Sequence, residues 1–443
     1  MPQLIAGISG VRGIYGDGLD EVVAERFAYA FGKRSGGPVV VGRDSRTSGT
    51  VLAGAVIAGL RKAGAGVIDL GLASTPAAEM AVIAKGASGG VIVTASHNPA
   101  QWNGLKFLGP DGVFLDSAEG GELLAAYRSL GPIGGLPETG PLAAWDGADE
   151  HHVESILSLD IIDPGRIAAA KYTVCLDAVN GAGGPVCTRL LERLGCAVHG
   201  INMLPTGVFP RGAEPVPENL GELCSLVRNT GADIGFAVDP DVDRLSLVDK
   251  TGTAPGEEYT LALAADFLFG KGVRTAACNL STSRMIDDAA EPHGAIVHRT
   301  PVGEINVVQA MRASGAGIGG EGNGGVIYPP LHAGRDAVLG MALILQYLAE
   351  SGKTLGELVA EFPRYVMVKD KIPFEGSGAW RDKILSAFHE AEADMRDGVK
   401  LTIGRSWVHV RQSNTEPVVR IIAEAPTRGE MENLLLRVRR AFG

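Results

Sequence analysis

Short apolar runs in this chain are repeatedly followed by a polar, glycine-bearing loop and then by an Ala/Leu-rich stretch of helical length. That alternation restricts the chain to parallel or mixed sheets covered by helices. Residues 38–41 read as a strand, 42–48 as a polar loop, and the following segment as a helix to about Ala63. Residues 66–70 form a further strand and 75–84 a further helix, and the Gly/Pro-rich stretch 131–140 reads as a boundary. A second unit starts near Lys171, with strand 172–176, a glycine loop at 180–184, a helix through Leu194 and an apolar strand at 234–238. A third runs from about Thr253, with a helix at 257–269, strands near Ala276 and Ala295, a glycine cluster at 317–325 and a long amphipathic helix over 335–350. The last part changes rhythm, with strands at 407–410 and 418–424 before a basic C-terminal helix.

A length of 443 residues exceeds one ordinary core and by itself suggests roughly three domains. The net charge of −11 argues against a nucleic-acid binder, which would carry a basic surface, though a local basic pocket for a small phosphate is compatible with it. Cys175, Cys187, Cys196, Cys224 and Cys278 show no CxxC spacing and are odd in number, which reads as reduced thiols in the cytoplasm. The N-terminus lacks the basic-then-apolar pattern of a signal peptide, and the most apolar run, 337–349, is too short to span a membrane.

Four loops carry the residue types that chemistry needs. Val91-Ile-Val-Thr-Ala-Ser-His-Asn-Pro99 presents Ser96 on a turn after a buried strand, with His97, Asn98 and Lys106 close in sequence. Ser96 is placed to serve as a nucleophile or phosphate acceptor, and the same cluster also makes ordinary turns through side-chain to backbone hydrogen bonds. In Asp239-Pro-Asp-Val-Asp-Arg244, three carboxylates at alternating positions beyond a strand suit a hard divalent cation, since unpaired they would repel one another. An EF-hand does not fit, because Arg244 and Lys250 stand where it requires Gly and Glu. Gly319-Gly-Glu-Gly-Asn-Gly-Gly325 offers Glu321 and Asn323 to hydroxyls but has no P-loop lysine. Arg411, Ser413, Asn414 and Thr415 offer a guanidinium, hydroxyls and amides to a phosphate, and an ordinary hairpin loop would also suit them. An acceptor, a cation site, a polyol-binding loop and an anion anchor are together the parts that phosphoryl transfer needs.

Over its full length, and with the loops in order, the sequence resembles the α-D-phosphohexomutase superfamily. The resemblance implies an α/β fold of three similar mixed α/β domains plus a smaller α+β C-terminal domain around a central cleft, divided at 1–145, 146–252, 253–365 and 366–443. It makes Ser96 the phosphoserine and Asp239, Asp241 and Asp243, with Ser96, the ligands of one Mg²⁺. Arg12, Lys106 and His97 match catalytic positions, and Arg244 another cleft position. Gly303, Glu304, Glu321 and Asn323 match the sugar-binding loops, and Arg411, Ser413, Asn414, Thr415 and Arg420 the phosphate-binding loop. Related mutases often carry Ser and His where this chain has Asn323 and Gly325.

The implied reaction passes the phosphoryl group of Ser96 to a hexose phosphate and takes the other phosphate of the resulting 1,6-bisphosphate back. Thr300-Pro-Val-Gly-Glu304 resembles the loop of phosphoglucosamine mutases, implying glucosamine 6-phosphate/1-phosphate, with phosphomannomutase/phosphoglucomutase activity as the alternative. A non-catalytic sugar-phosphate binder on the same scaffold would not need Ser96 and the three aspartates, and a Mg²⁺-dependent phosphatase would release phosphate. The expected partner is a small phosphosugar, with no nucleic acid and no membrane, on a cytoplasmic monomer or homodimer.

Overall fold

The computed structural model describes residues 4–7, 10–374, 380–412 and 418–442. It contains sheets of eight, four, four and five strands. The first three sheets repeat one pattern: a central strand lies between two parallel neighbours, and one neighbour returns through a loop as an antiparallel strand. In domain I, Val39–Arg43 lies between Val67–Leu72 and Gly89–Val93, and the chain returns as Trp102–Leu108. In domain II, Thr173–Asp177 lies between Ala197–Ile201 and Ile234–Val238, and the return strand is Leu245–Asp249. In domain III, Thr275–Asn279 lies between Ile296–Thr300 and Ile318–Glu321, returning as Gly325–Ile327. The C-terminal domain is an antiparallel sheet with helices Trp380–Ala387 and Arg428–Phe442. Three α/β domains and one α+β domain are thus present.

Strands Gly89–Val93 and Ile234–Val238 are buried at every position, as sheets covered on both faces require. Their side chains leave no polar edge, so chemistry is confined to the loops at their carboxyl ends, where open α/β sheets bind ligands.

Strand Leu142–Ala144, beyond the segment 131–140, pairs in parallel with Val67–Leu72. One expectation is corrected. Helix Ala337–Ser351 is buried on nearly all sides instead of being amphipathic. It packs against Glu258–Gly270 of domain III and against Pro164–Ala170 and Gly183–Arg193 of domain II. Domains II and III therefore share one hydrophobic core, and a helix apolar all round is what such a position selects. Its one polar side chain deep in that core, Gln346, is satisfied: its carbonyl oxygen accepts from Asp163 N at 2.8 Å and its amide donates to Glu350 at 2.9 Å.

Candidate active site

The return loops of the three α/β domains converge. The domain I loop carries Ser96, the domain II loop Asp239, Asp241 and Asp243, and the domain III loop Asn323. Ser96 has φ 48° and Val242 has φ 67°, left-handed conformations that are uncommon for non-glycine residues and rare for a β-branched one. The Ser96 hydroxyl donates to Asp239 Oδ2 at 2.8 Å, so the domain I turn aims its side chain at the domain II carboxylates. Arg46, itself fully buried, holds that turn in place. Its guanidinium donates to the carbonyls of Ser96 (2.5 Å), Asn98 (2.7 Å), Pro99 (2.7 Å) and Trp102 (2.8 Å), and to Asp44 Oδ2 at 3.0 Å.

The three aspartates are buried, and their ligand oxygens lie within 4.8 Å of one another. They are not unpaired, as their spacing alone had implied. Lys106 Nζ lies 2.7 Å from Asp241 Oδ2 and 3.3 Å from Asp243 Oδ2, and Arg335 Nη2 donates to Asp243 Oδ2 at 2.6 Å. Thr75 ties domain I to the same loop, donating through Oγ1 to Asp241 Oδ2 at 2.8 Å and through N to Asp241 O at 2.9 Å. Burial opposes ionisation of Asp241 and Asp243, yet Lys106 for the first and Arg335 for the second hold them below the usual carboxylate range. Asp239 goes the other way, pushed up by burial and then by Asp243 and Asp241. Asp241 Oδ1 and Asp243 Oδ1 are buried without a hydrogen-bond partner among the described residues. Buried acceptors left over in an all-oxygen cluster fit a hard divalent cation, which would supply the positive charge that Asp239 lacks.

Further cations surround the cluster. Arg12, on strand Gly10–Tyr15, donates to Asn98 Oδ1 at 3.2 Å. Burial lowers its pKa first, and the guanidiniums of Arg244, Arg420 and Arg46 lower it further against Asp241. His97 is held neutral by Arg244 and by burial, and its Nδ1 has no hydrogen-bond partner among the described residues. Arg244 donates to Glu214 at 2.5 Å, and its Nε, 3.7 Å from Asp243 Oδ1, makes no hydrogen bond to the described residues. For Lys106, burial pushes down but Asp241 and Asp243 outweigh it, so the ammonium stays charged. Guanidiniums gathered closely enough to lower the pKa of Arg12 make a site that favours an anion.

In domain III, Glu321 accepts from Asn279 (2.7 Å), Gly303 N (3.1 Å), Arg335 Nη1 (2.7 Å) and, at 3.4 Å, Asn323. Glu304 is buried, and both its oxygens face Arg335, one accepting from the backbone N at 2.8 Å and the other from Nε at 3.1 Å. One guanidinium thus joins Asp243, Glu304 and Glu321. Gly325 makes room for it, since a Cβ there would stand 2.3 Å from Arg335 Cδ. In the C-terminal domain, Arg411 and Arg420 face each other across strands Ser406–Gln412 and Val418–Ala425. Ser413, Asn414 and Thr415 lie outside the described residues.

Comparison with known proteins accounts for all four sheets. Models of the phosphoglucomutase/phosphomannomutase family match in order: alpha/beta/alpha domain I over residues 3–130, domain II over 150–252, domain III over 256–365 and the C-terminal domain over 366–441. The chain belongs to this family. A phosphoglucomutase/phosphomannomutase of Thermococcus kodakarensis is 38% identical over 439 residues, covering 95% of this chain and 94% of the relative. A probable phosphoglucosamine mutase of Methanopyrus kandleri is 36% identical over 426 residues, covering 95% and 93%. Among solved structures, a putative phosphomannomutase from Thermus thermophilus superposes with a TM-score of 0.85 at 28% identity, covering 99% of each chain. The chain is accordingly an enzyme, a phosphohexomutase that transfers phosphate intramolecularly.

Three residues of this cluster, Thr75, Arg46 and Arg335, stand outside the four loops that sequence reasoning marked. Thr75 gave no signal, being an ordinary first-turn residue behind the Ser74 cap. Arg46 had a weak one, as a cation inside the polar loop 42–48 directly after a strand. Arg335 lies just before helix Ala337–Ser351 and looks like a solvated flank until the fold sets three carboxylates around it.

Proposed function

We propose that this phosphohexomutase interconverts glucosamine 6-phosphate and glucosamine 1-phosphate through a phosphorylated Ser96. The observation that carries the reading is the Ser96 hydroxyl 2.8 Å from Asp239, inside a carboxylate cluster with two leftover oxygens and beside a bank of guanidiniums. Asp239, Asp241, Asp243 and the Ser96 phosphate would hold Mg²⁺, which when bound offsets the charge on the transferring phosphoryl group. The sugar hydroxyl oxygen bonds to the phosphorus and gives up its proton, the bond from phosphorus to Ser96 Oγ breaks, and Oγ takes up a proton to become a hydroxyl again. The hexose 1,6-bisphosphate then turns in the cleft and returns its other phosphoryl group to Oγ. Lys106 and Arg12 bring positive charge to the transferring oxygens, and neutral His97 offers an unpartnered nitrogen beside them. Arg244 lines the cleft. Arg411, Arg420 and the 413–415 segment hold the phosphate that is not reacting. Arg411 and Arg420 stand at paired positions on neighbouring strands, which supports this assignment. Glu321 and Asn323, with Gly303, meet the sugar hydroxyls, and Glu304 serves by fixing Arg335.

The names of several relatives, including that of Methanopyrus kandleri, support glucosamine phosphate. The name of the 38% identical relative supports glucose and mannose phosphates as the second reading. Turnover of glucosamine, mannose and glucose phosphates, measured side by side with Mg²⁺ and a bisphosphate activator, tests the choice. Mannose phosphates turning over far faster than glucosamine phosphates would overturn the substrate. Ser96→Ala with unchanged turnover, and no phosphoserine by intact mass, would overturn the mechanism. No described helix is long and apolar enough to cross a membrane, and the five unpaired cysteines fit a reducing cytoplasm. We place the enzyme there as a monomer or homodimer.

A further inference from the structure

Asp397 lies on the turn between strands Glu392–Asp394 and Val399–Ile403 of the C-terminal domain, away from every motif that the sequence marks. Its carboxylate touches two domains. Oδ2 accepts from Val302 N at 3.0 Å, in the segment that leads into Gly303, while Oδ1 lies 3.5 Å from Arg411 Nε. The turn itself is locked. The Asp397 carbonyl accepts from His409 Nε2 at 2.6 Å, and a carbonyl can only accept, so that nitrogen carries the proton. His409 Nδ1 is then bare and accepts from Ser281 Oγ of domain III at 2.9 Å, in keeping with the burial that lowers the pKa of this histidine. The neighbouring Arg396 Nη1 donates to Arg299 O at 2.6 Å, a third bond between the same two domains. Gly398, at φ 72°, allows the close approach, because a Cβ there would stand 2.3 Å from Val410 O and 2.9 Å from Arg411 Cα.

We propose that Asp397 is a positioning residue that couples the anion-binding guanidinium of Arg411 to the Val302–Gly303 segment of the sugar loop. The inference rests on the reading of Arg411 as a phosphate ligand. Arg411 Nε has no hydrogen-bond partner among the described residues, and Asp397 Oδ1 lies 3.5 Å from it, where its charge orients the guanidinium. Gly303 N donates in turn to Glu321, which completes a chain from the phosphate end of the substrate to its hydroxyls. The carboxylate thereby makes the grip on the distant phosphate and the grip on the sugar one arrangement instead of two.

The test is a double-mutant cycle on the full-length enzyme, with KM and kcat measured for glucosamine and mannose phosphates and the melting temperature recorded for each variant. Asp397→Asn keeps an oxygen for Val302 N but removes the charge, and is expected to raise KM about five- to tenfold with kcat changed less than about twofold. Arg411→Ala is expected to raise KM about tenfold or more, and adding Asp397→Asn to it to cost less than about a further twofold. Asp397→Ala, which also frees Val302 N, is expected to change the ratio of kcat/KM between the two sugars, a readout that general loosening of the fold would not move. Equal losses from Asp397→Asn in both backgrounds, or an unchanged KM in Asp397→Asn while Arg411→Ala raises it, would overturn the coupling and leave the phosphate role of Arg411 standing. An unchanged KM in Arg411→Ala would overturn that phosphate role and the coupling with it.

Discussion

Arg46 donates a 2.5 Å hydrogen bond to the carbonyl oxygen of Ser96, from 50 residues away in the chain. With its bonds to Asn98, Pro99 and Trp102, the guanidinium takes the place of a ladder that Pro99 and the left-handed Ser96 cannot form. Arg46→Lys replaces a five-donor fork with a point charge and leaves at least one buried carbonyl unpaired, at about 1–3 kcal/mol each. The melting temperature is expected to fall, and kcat to drop on the order of 100-fold as Ser96 leaves its position. Wild-type kcat in Arg46→Lys would show that the turn holds itself.

Gly322 sits over a buried acid. A Cβ on it would stand 2.1 Å from both oxygens of Glu258, whose carboxyl burial pushes up to about 8 and which accepts from Ser283 N at 2.9 Å. Gly322→Ala is expected to displace the loop that carries Asn323, raising KM for the sugar phosphate more than it lowers the rate of Ser96 phosphorylation by the bisphosphate. A KM within about twofold of wild type would contradict this.

Glu79 of domain I and His332 of domain III form a buried pair, with Glu79 Oε2 3.2 Å from His332 Nδ1 and Asp336 Oδ2 3.1 Å from His332 Nε2. Burial raises Glu79 from 4.5 to about 8, and for His332 the carboxylates of Asp336 and Glu79 outweigh burial and raise it from 6.5 to about 10. Both native values exceed the unfolded ones, so the folded state binds more protons and this stability is lost as pH rises. Glu79 loses its share between about 4.5 and 8, and His332 between about 6.5 and 10. The melting temperature is expected to decline from about pH 6 to about pH 9, and Glu79→Gln to flatten the part below about pH 8. Identical slopes in wild type and Glu79→Gln would assign the decline to other groups.

The leftover oxygens of Asp241 and Asp243 make a further expectation measurable without turnover. Mg²⁺ binding only the native state stabilises it by about 2.7 kcal/mol at about 100 times Kd, so millimolar Mg²⁺ is expected to raise the melting temperature of the wild type. Asp241→Asn is expected to abolish the rise. A Mg²⁺-dependent rise of the same size in Asp241→Asn would move the cation elsewhere.

Much of this molecule is legible in its residues. Strand Ile234–Val238 and helix Thr75–Ala84 fall where the apolar pattern puts them. Ser96 and the aspartates stand out because their backbone contexts, a strand end followed by a turn, are local, and local signals need only neighbours in sequence. The amphipathic reading of helix Ala337–Ser351 fails because a few polar residues imitate such a period, whereas burial is decided by what the other domain lays against it.

By itself the sequence determined the alternating elements, the four loops and the residue types they offer, since these follow from periodicity and side-chain chemistry within short segments. The tertiary structure alone decided which groups neutralise which. Lys106 reaches Asp241 across 135 residues, Arg335 reaches Asp243 across 92, and Arg335 reaches Glu304 across 31. The reason is that ion pairing depends on distance in space and on burial, and neither is a function of spacing along the chain.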